Sequence, residues 1–148
     1  MIARLDGTVL GAAGSRIVVG VGGVGLAVSV TPQLSLVSAV GAPIALHTTL
    51  IVREDDLSLY GFGTQAELDA FDLLRSVSGV GPKSALGVLS HMTPAQLADA
   101  IAREDERAFK AVSGIGPKTA RLIIVQLAGK LHASAPSASR PSDAGADV

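Results

Sequence analysis

Two stretches decide how this chain is read: Val77-Ser78-Gly79-Val80-Gly81-Pro82-Lys83-Ser84-Ala85 and Val112-Ser113-Gly114-Ile115-Gly116-Pro117-Lys118-Thr119-Ala120. They are identical at seven of nine positions, differ conservatively at the other two, and begin 35 residues apart. Each lies between segments of helical periodicity, 65–76 and 83–92 around the first, 105–111 and 118–131 around the second. The Gly-x-Gly spacing lets the backbone turn sharply and approach a ligand with no Cβ in the way. The apolar residue between the glycines, Val80 or Ile115, can plug into a core, and Pro82 or Pro117 suits the first turn of the next helix. Free N–H groups at that helix N-terminus then face outward as an anion site, with Lys83 and Ser84, or Lys118 and Thr119, beside it. The alternative is a connector in which Gly and Pro only punctuate. Punctuation alone does not need the lysine and the hydroxyl repeated, and both are.

Working outward, residues 1–62 carry a different period. Runs at 2–10, 16–21, 25–31, 44–52 and 57–60 are rich in β-branched residues and divided by Gly, Pro, Ser or acidic turns. Five short strands in so short a stretch predict a small barrel, because closure removes exposed sheet edges. From Thr64 the helical pattern starts: Thr64-Gln65-Ala66-Glu67 is a capping box, and Thr93-Pro94-Ala95-Gln96 repeats its logic with Pro at the first helical position. Beyond residue 131 the chain is Ala-, Ser- and Pro-rich and has nothing to bury. The expected organisation is therefore a barrel at 1–62, an all-α part at 63–131 and a disordered linker or tail at 132–148.

Composition narrows the chemistry. The 148 residues contain no Cys and no Trp, one Tyr and three Phe. Disulfides, Cys-based zinc, iron–sulfur clusters and thiol nucleophiles are excluded, and a reducing cytoplasm is compatible. Mean hydropathy is +0.47, and no Asp, Glu, Lys or Arg occurs between Arg16 and Arg53. That interval is broken by seven Gly or Pro residues, such as Gly20, Pro32 and Pro43, which is strand-and-turn chemistry rather than a membrane helix. Asp6 falls where a signal peptide would begin its apolar run, so no export signal is read. Net charge is −1, and residues 63–130 hold eight basic against seven acidic residues. Nucleic-acid affinity, if present, cannot come from a broad Lys/Arg field.

Other motifs fail on context. Gly20-Val21-Gly22-Gly23-Val24-Gly25 matches a dinucleotide fingerprint by letter, but a strand follows it and no acid lies near 20 residues downstream, so it reads as a hairpin. Lys83 and Lys118 follow Pro rather than Gly, which removes a P-loop and nucleotide hydrolysis with it. Glu54-Asp55-Asp56 reads as a solvated hairpin tip. His47, His91 and His132 have no metal-ligand spacing, and no nucleophile elbow is present.

The twinned Gly-Val-Gly-Pro-Lys and Gly-Ile-Gly-Pro-Lys resemble the tandem helix-hairpin-helix motifs of the RuvA family, the Holliday-junction-binding subunits of bacterial branch-migration complexes. Met1-Ile2-Ala3-Arg4-Leu5-Asp6-Gly7, Val21-Gly22-Gly23-Val24-Gly25 and the runs 52–55 and 59–62 resemble the same family, in order, over about residues 1–131. The resemblance implies an α+β protein of several domains. An oligonucleotide-binding-type (OB) five-stranded barrel would precede an all-α tandem helix-hairpin-helix domain and a flexible tail. It implies a tetramer, or an octamer of two, that holds four-way DNA junctions open while a separate RuvB motor drives branch migration in recombination and repair, with RuvC as the resolvase. It implies no enzyme activity in this subunit, no cofactor or metal, no membrane and a cytoplasmic location. Phosphate contacts map to Gly79, Gly81, Lys83, Ser84, Gly114, Gly116, Lys118 and Thr119, and the family's acidic pin at the crossover maps to Glu54 and Asp55. The competing expectation is a helix-hairpin-helix module of another repair complex that binds DNA without sequence preference or binds protein.

The resemblance has departures. Where the family has Glu-Arg-Leu after the second Lys-Thr-Ala, this chain has Arg121-Leu122-Ile123, which moves an arginine one position, about 100° around a helix. Leu26 replaces a family tyrosine. The family's third, helical domain follows the linker and contacts the motor. The sequence ends within what resembles that linker, so weakened motor recruitment is expected.

Overall fold

In the computed structural model, which describes residues 1–131, five strands close into a barrel in the order β1-β2-β3-β5-β4. They are β1 (Arg4–Ala13), β2 (Arg16–Val21), β3 (Val24–Ser29), β4 (Pro43–Val52) and β5 (Leu57–Phe62). The expected tail at 132–148 lies outside the described residues. All pairings are antiparallel except the short β3–β5 closure, Val28 opposite Leu59 and Ser29 opposite Tyr60. One long strand serves two neighbours: the first half of β1 pairs with β4, the second half with β2, and a bulge between Val9 and Gly11 bends it. Gly22 and Gly23, at φ +57° and +84°, join β2 to β3 in a two-residue turn that needs positive φ at both positions. The hairpin reading of that glycine run is correct. Inside the barrel, Leu5, Val9, Ile17, Val19, Val28, Val30, Leu46 and Leu59 form the core.

Two elements differ from the sequence expectation. A short helix α1 (Pro32–Val37) bridges β3 and β4, capped by the Thr31 hydroxyl accepting from the Leu34 N–H at 3.3 Å. The expected helix at 105–111 is only a 3-10 turn, Glu106–Phe109. Four residues suffice there, because Phe109 is fully buried and anchors the turn by its ring. The remaining helices are α2 (Gln65–Arg75), α3 (Pro82–His91), α4 (Pro94–Ala102) and α5 (Pro117–Leu127). At α4 the capping box is complete: the Thr93 hydroxyl accepts from the Gln96 N–H at 3.1 Å, and the Gln96 side chain accepts from the Thr93 N–H at 2.9 Å. At α2, Thr64 caps the Glu67 N–H at 3.2 Å.

The scarce aromatic residues are concentrated where barrel meets helices. Tyr60 and Phe62 from β5 both pack on Phe71 of α2, with ring centroids 5.1 and 5.0 Å apart, and the Arg75 guanidinium lies 5.5 Å from the Phe71 centroid. Ile51, Tyr60 and Phe62 thereby join the helical core of Leu68, Leu74, Leu97, Ile101, Phe109, Ile123 and Leu127. A rigid seam follows, because rings this size bury more apolar area per residue than the small side chains elsewhere. Gln33 of α1 adds a hydrogen bond to the Ser90 carbonyl of α3 across the same seam.

Candidate nucleic-acid interface

The two repeats build nearly superimposable turns. Val77 and Val112 are buried, and their carbonyls accept from the Val80 and Ile115 N–H groups at 3.1 and 3.3 Å. Gly79 and Gly114 hold φ of +89° and +86°, conformations that cost an L-residue about 1–2 kcal/mol. Val80 and Ile115 are sunk into the helical core, as their apolar character predicted. Gly81 and Gly116 are the N-caps of α3 and α5, with φ/ψ of −87°/176° and −86°/176°, and neither helix start has a side-chain cap. The first helical bonds run from the Ala85 N–H to Gly81 O at 3.0 Å and from Ala120 to Gly116 O at 2.9 Å. The amides of Lys83 and Ser84, and of Lys118 and Thr119, precede those bonds and are available to an anion. Lys83 and Lys118 are exposed, and neither has an ion-pair partner among the described residues.

Tertiary packing relates the two turns to one another. A methyl group on Gly114 would stand 2.6 Å from Ser84 Oγ, and one on Gly79 would stand 3.6 Å from Thr119 Oγ1. The hydroxyl residue of each repeat thus lies against the left-handed glycine of the other, a reciprocal contact of the kind a local two-fold axis generates. Ser84 and Thr119 therefore fit the turns together, a placement that the repeat alone does not reveal.

Around the second turn, Arg107 and Lys110 join Gly116 and Pro117 on a groove of about 320 Å3. These cations lay outside the repeat and had no motif to mark them. Arg121 makes an ion pair with Glu106 at 3.0 Å, which directs it back onto the 3-10 turn. On the barrel, the Arg53 N–H donates to the Asp56 carbonyl at 2.8 Å and closes the β4–β5 turn. Glu54 and Asp55 occupy its tip, exposed, and the Asp56 carboxylate instead accepts from Ser58 Oγ at 2.6 Å. Among the described residues no group of three or more His, Asp or Glu could hold a metal ion, and no helix is long and apolar enough to cross a membrane.

A closed five-stranded barrel carrying two reciprocally packed glycine-rich turns defines a barrel-mounted tandem helix-hairpin-helix protein. Residues 1–61 match the family model described as RuvA N terminal domain, and residues 71–128 match the SAM-like helix-hairpin-helix tandem. The chain is 58% identical over 142 residues to a protein of Leifsonia xyli subsp. xyli, covering 93% of this chain and 69% of that one. It is 51% identical to one of Clavibacter michiganensis, covering 100% and 69%, and 42% identical to one of Streptomyces coelicolor, covering 98% and 73%. Each of these relatives is named Holliday junction branch migration complex subunit RuvA. The chain belongs to the RuvA family.

Proposed function

We propose that this protein binds four-way DNA junctions by their backbone phosphates, without reading sequence, and serves as the DNA-holding subunit of a branch-migration complex. The reciprocal pairing of the two turns carries the reading. Antiparallel DNA strands are themselves related by two-fold axes across the grooves, so two turns with the same relation address one phosphate on each strand. Contacts of this type position a duplex but carry no base information. Gly79, Gly81, Lys83, Gly114, Gly116 and Lys118 form the phosphate-binding set, with Ser84 and Thr119 contributing backbone amides and holding the turns together. Four copies around a junction would bring the Glu54 and Asp55 tips to the crossover, where their charge repels backbone phosphates and keeps the strands apart. Strand movement requires a separate ATP-driven motor of the RuvB type, with a RuvC-type resolvase acting on the held junction.

The test is a gel shift with a synthetic four-way junction and a linear duplex of the same sequence. With net charge near zero, Lys83 and Lys118 supply a disproportionate share of the electrostatic contact. Lys83→Glu/Lys118→Glu abolishes junction binding by this reading, and loss of two phosphate contacts lowers the salt slope by about 1.8 per chain. Junction binding equal to that of the parent protein would show that the repeat is only structural.

A further inference from the structure

A second cation lies beside the first turn, and it comes from the barrel. Side chains alternate faces along a strand, so Arg53 continues the face of β4 that carries buried Ile51, while Val52 points away, exposed. Ile51 pairs with Ser58 of β5, and Tyr60 lies two residues further on the same face. That face meets the start of α3. Between them is a cavity of about 260 Å3 bounded by Arg53, Asp56, Ser58, Tyr60, Gly81 and Lys83. A neighbouring cavity of about 360 Å3 shares Tyr60 and Lys83, so the two form a groove along the seam.

Three features of the lining point to an anion. Arg53 and Lys83 both have no ion-pair partner among the described residues. Asp56, the one carboxylate, is engaged by Ser58 and leaves the lining with an excess of positive charge. Tyr60 is only 6% exposed, its ring is stacked on Phe71, the residue lines both cavities, and its hydroxyl has no hydrogen-bond partner among the described residues. No buried side-chain oxygen or nitrogen among the described residues lacks a partner, so this hydroxyl is reached by solvent and is open to a ligand. Burial raises the tyrosine's pKa, so the hydroxyl keeps its proton and acts as a donor.

The geometry points to a third phosphate site in each subunit, in which Arg53, the Tyr60 hydroxyl and Lys83 hold one backbone phosphate of a DNA strand as it leaves the crossover. The inference rests on the junction-binding reading above. Only two residues, the acidic tip Glu54-Asp55, separate Arg53 from Asp56, so a strand reaching this cavity passes directly beside them. The site therefore acts on junction strands and not on a duplex arm lying against the helical turns alone. It also explains the abrupt charge change along Arg53-Glu54-Asp55: the cation captures the strand at the foot of the turn, and the carboxylates turn it away at the tip.

The experiment compares Tyr60→Phe, Arg53→Gln and, as a control on the other turn, Lys118→Ala, titrated with a synthetic four-way junction and with linear duplex across a salt series. Tyr60→Phe keeps the ring stack, so thermal unfolding matching the parent verifies the fold. Either cavity variant weakens junction binding roughly tenfold, the effect of one hydrogen bond to a charged group, and leaves duplex binding unchanged. Arg53→Gln also lowers the junction salt slope by about 0.9 per subunit, whereas Tyr60→Phe, which removes no charge, does not. Unchanged junction affinity in both cavity variants, with Lys118→Ala weakened, overturns the third site and leaves the junction-binding reading intact. If Lys118→Ala is also without effect, the reading and the site fall together. Equal losses on junction and duplex overturn the placement at the crossover.

Discussion

Alanine at the two left-handed glycines should have unequal consequences, although the repeats are nearly identical in sequence. Both positions hold positive φ, +89° at Gly79 and +86° at Gly114. A left-handed L-residue costs about 1–2 kcal/mol, offset by about 0.4–1 kcal/mol from the stiffer unfolded chain. At Gly79 the new methyl group meets Thr119 Oγ1 at 3.6 Å, an ordinary contact, so Gly79→Ala should lose only the backbone term, about 1 kcal/mol. At Gly114 it would meet Ser84 Oγ at 2.6 Å, and that hydroxyl must leave its rotamer, adding about 0.5–1.5 kcal/mol. Ser84→Ala removes the obstructing oxygen, and the Ser84 Cβ that remains would lie 3.7 Å from the new methyl group, again ordinary contact. Urea unfolding of the parent, Gly79→Ala, Gly114→Ala, Ser84→Ala and Gly114→Ala/Ser84→Ala forms a double-mutant cycle. The expected coupling between Gly114 and Ser84 is about 1 kcal/mol, favouring the double variant. Equal losses at the two glycines, or a double variant whose losses simply add, would refute the reciprocal packing.

Two further outcomes follow from the acidic tip and the aromatic seam. Glu54→Gln/Asp55→Asn should leave junction binding equal or tighter and reduce selectivity over duplex in a competition titration, because the repulsion that disfavours an uninterrupted backbone at the crossover is gone; weaker junction binding would assign those carboxylates a structural contact. Phe71→Ala should cost about 3–5 kcal/mol in denaturant unfolding, since the ring is fully buried against Tyr60 and Phe62 and its loss opens a cavity between barrel and helices; a loss below about 1 kcal/mol would mean the seam collapses around the gap.

What could be read from the sequence alone was local. The repeated Gly-x-Gly-Pro-Lys, the capping residues Thr64 and Thr93, the Gly22-Gly23 turn and the switch from strand to helical period near residue 63 each depend on conformational preferences over a few neighbouring residues. The barrel was legible for the same reason, as five β-branched runs separated by turn residues. The 3-10 turn at Glu106–Phe109 was not, because burial of Phe109 by distant helices, rather than helical propensity, holds it. Helix α1 carried only a Thr31-Pro32 start signal and too few residues to show a period. The site divides along the same line. Lys83 and Lys118 were marked by repetition, but the contacts of Ser84 with Gly114 and of Thr119 with Gly79 join residues about 30 or more positions apart. Likewise Arg53 and Tyr60 meet Lys83 only because β4, β5 and α3 all pack on α2, which no spacing encodes. Short-range stereochemistry sets each turn by itself; the arrangement of turns, tip and seam into one surface is decided by which apolar faces bury one another, a property of the whole folded chain.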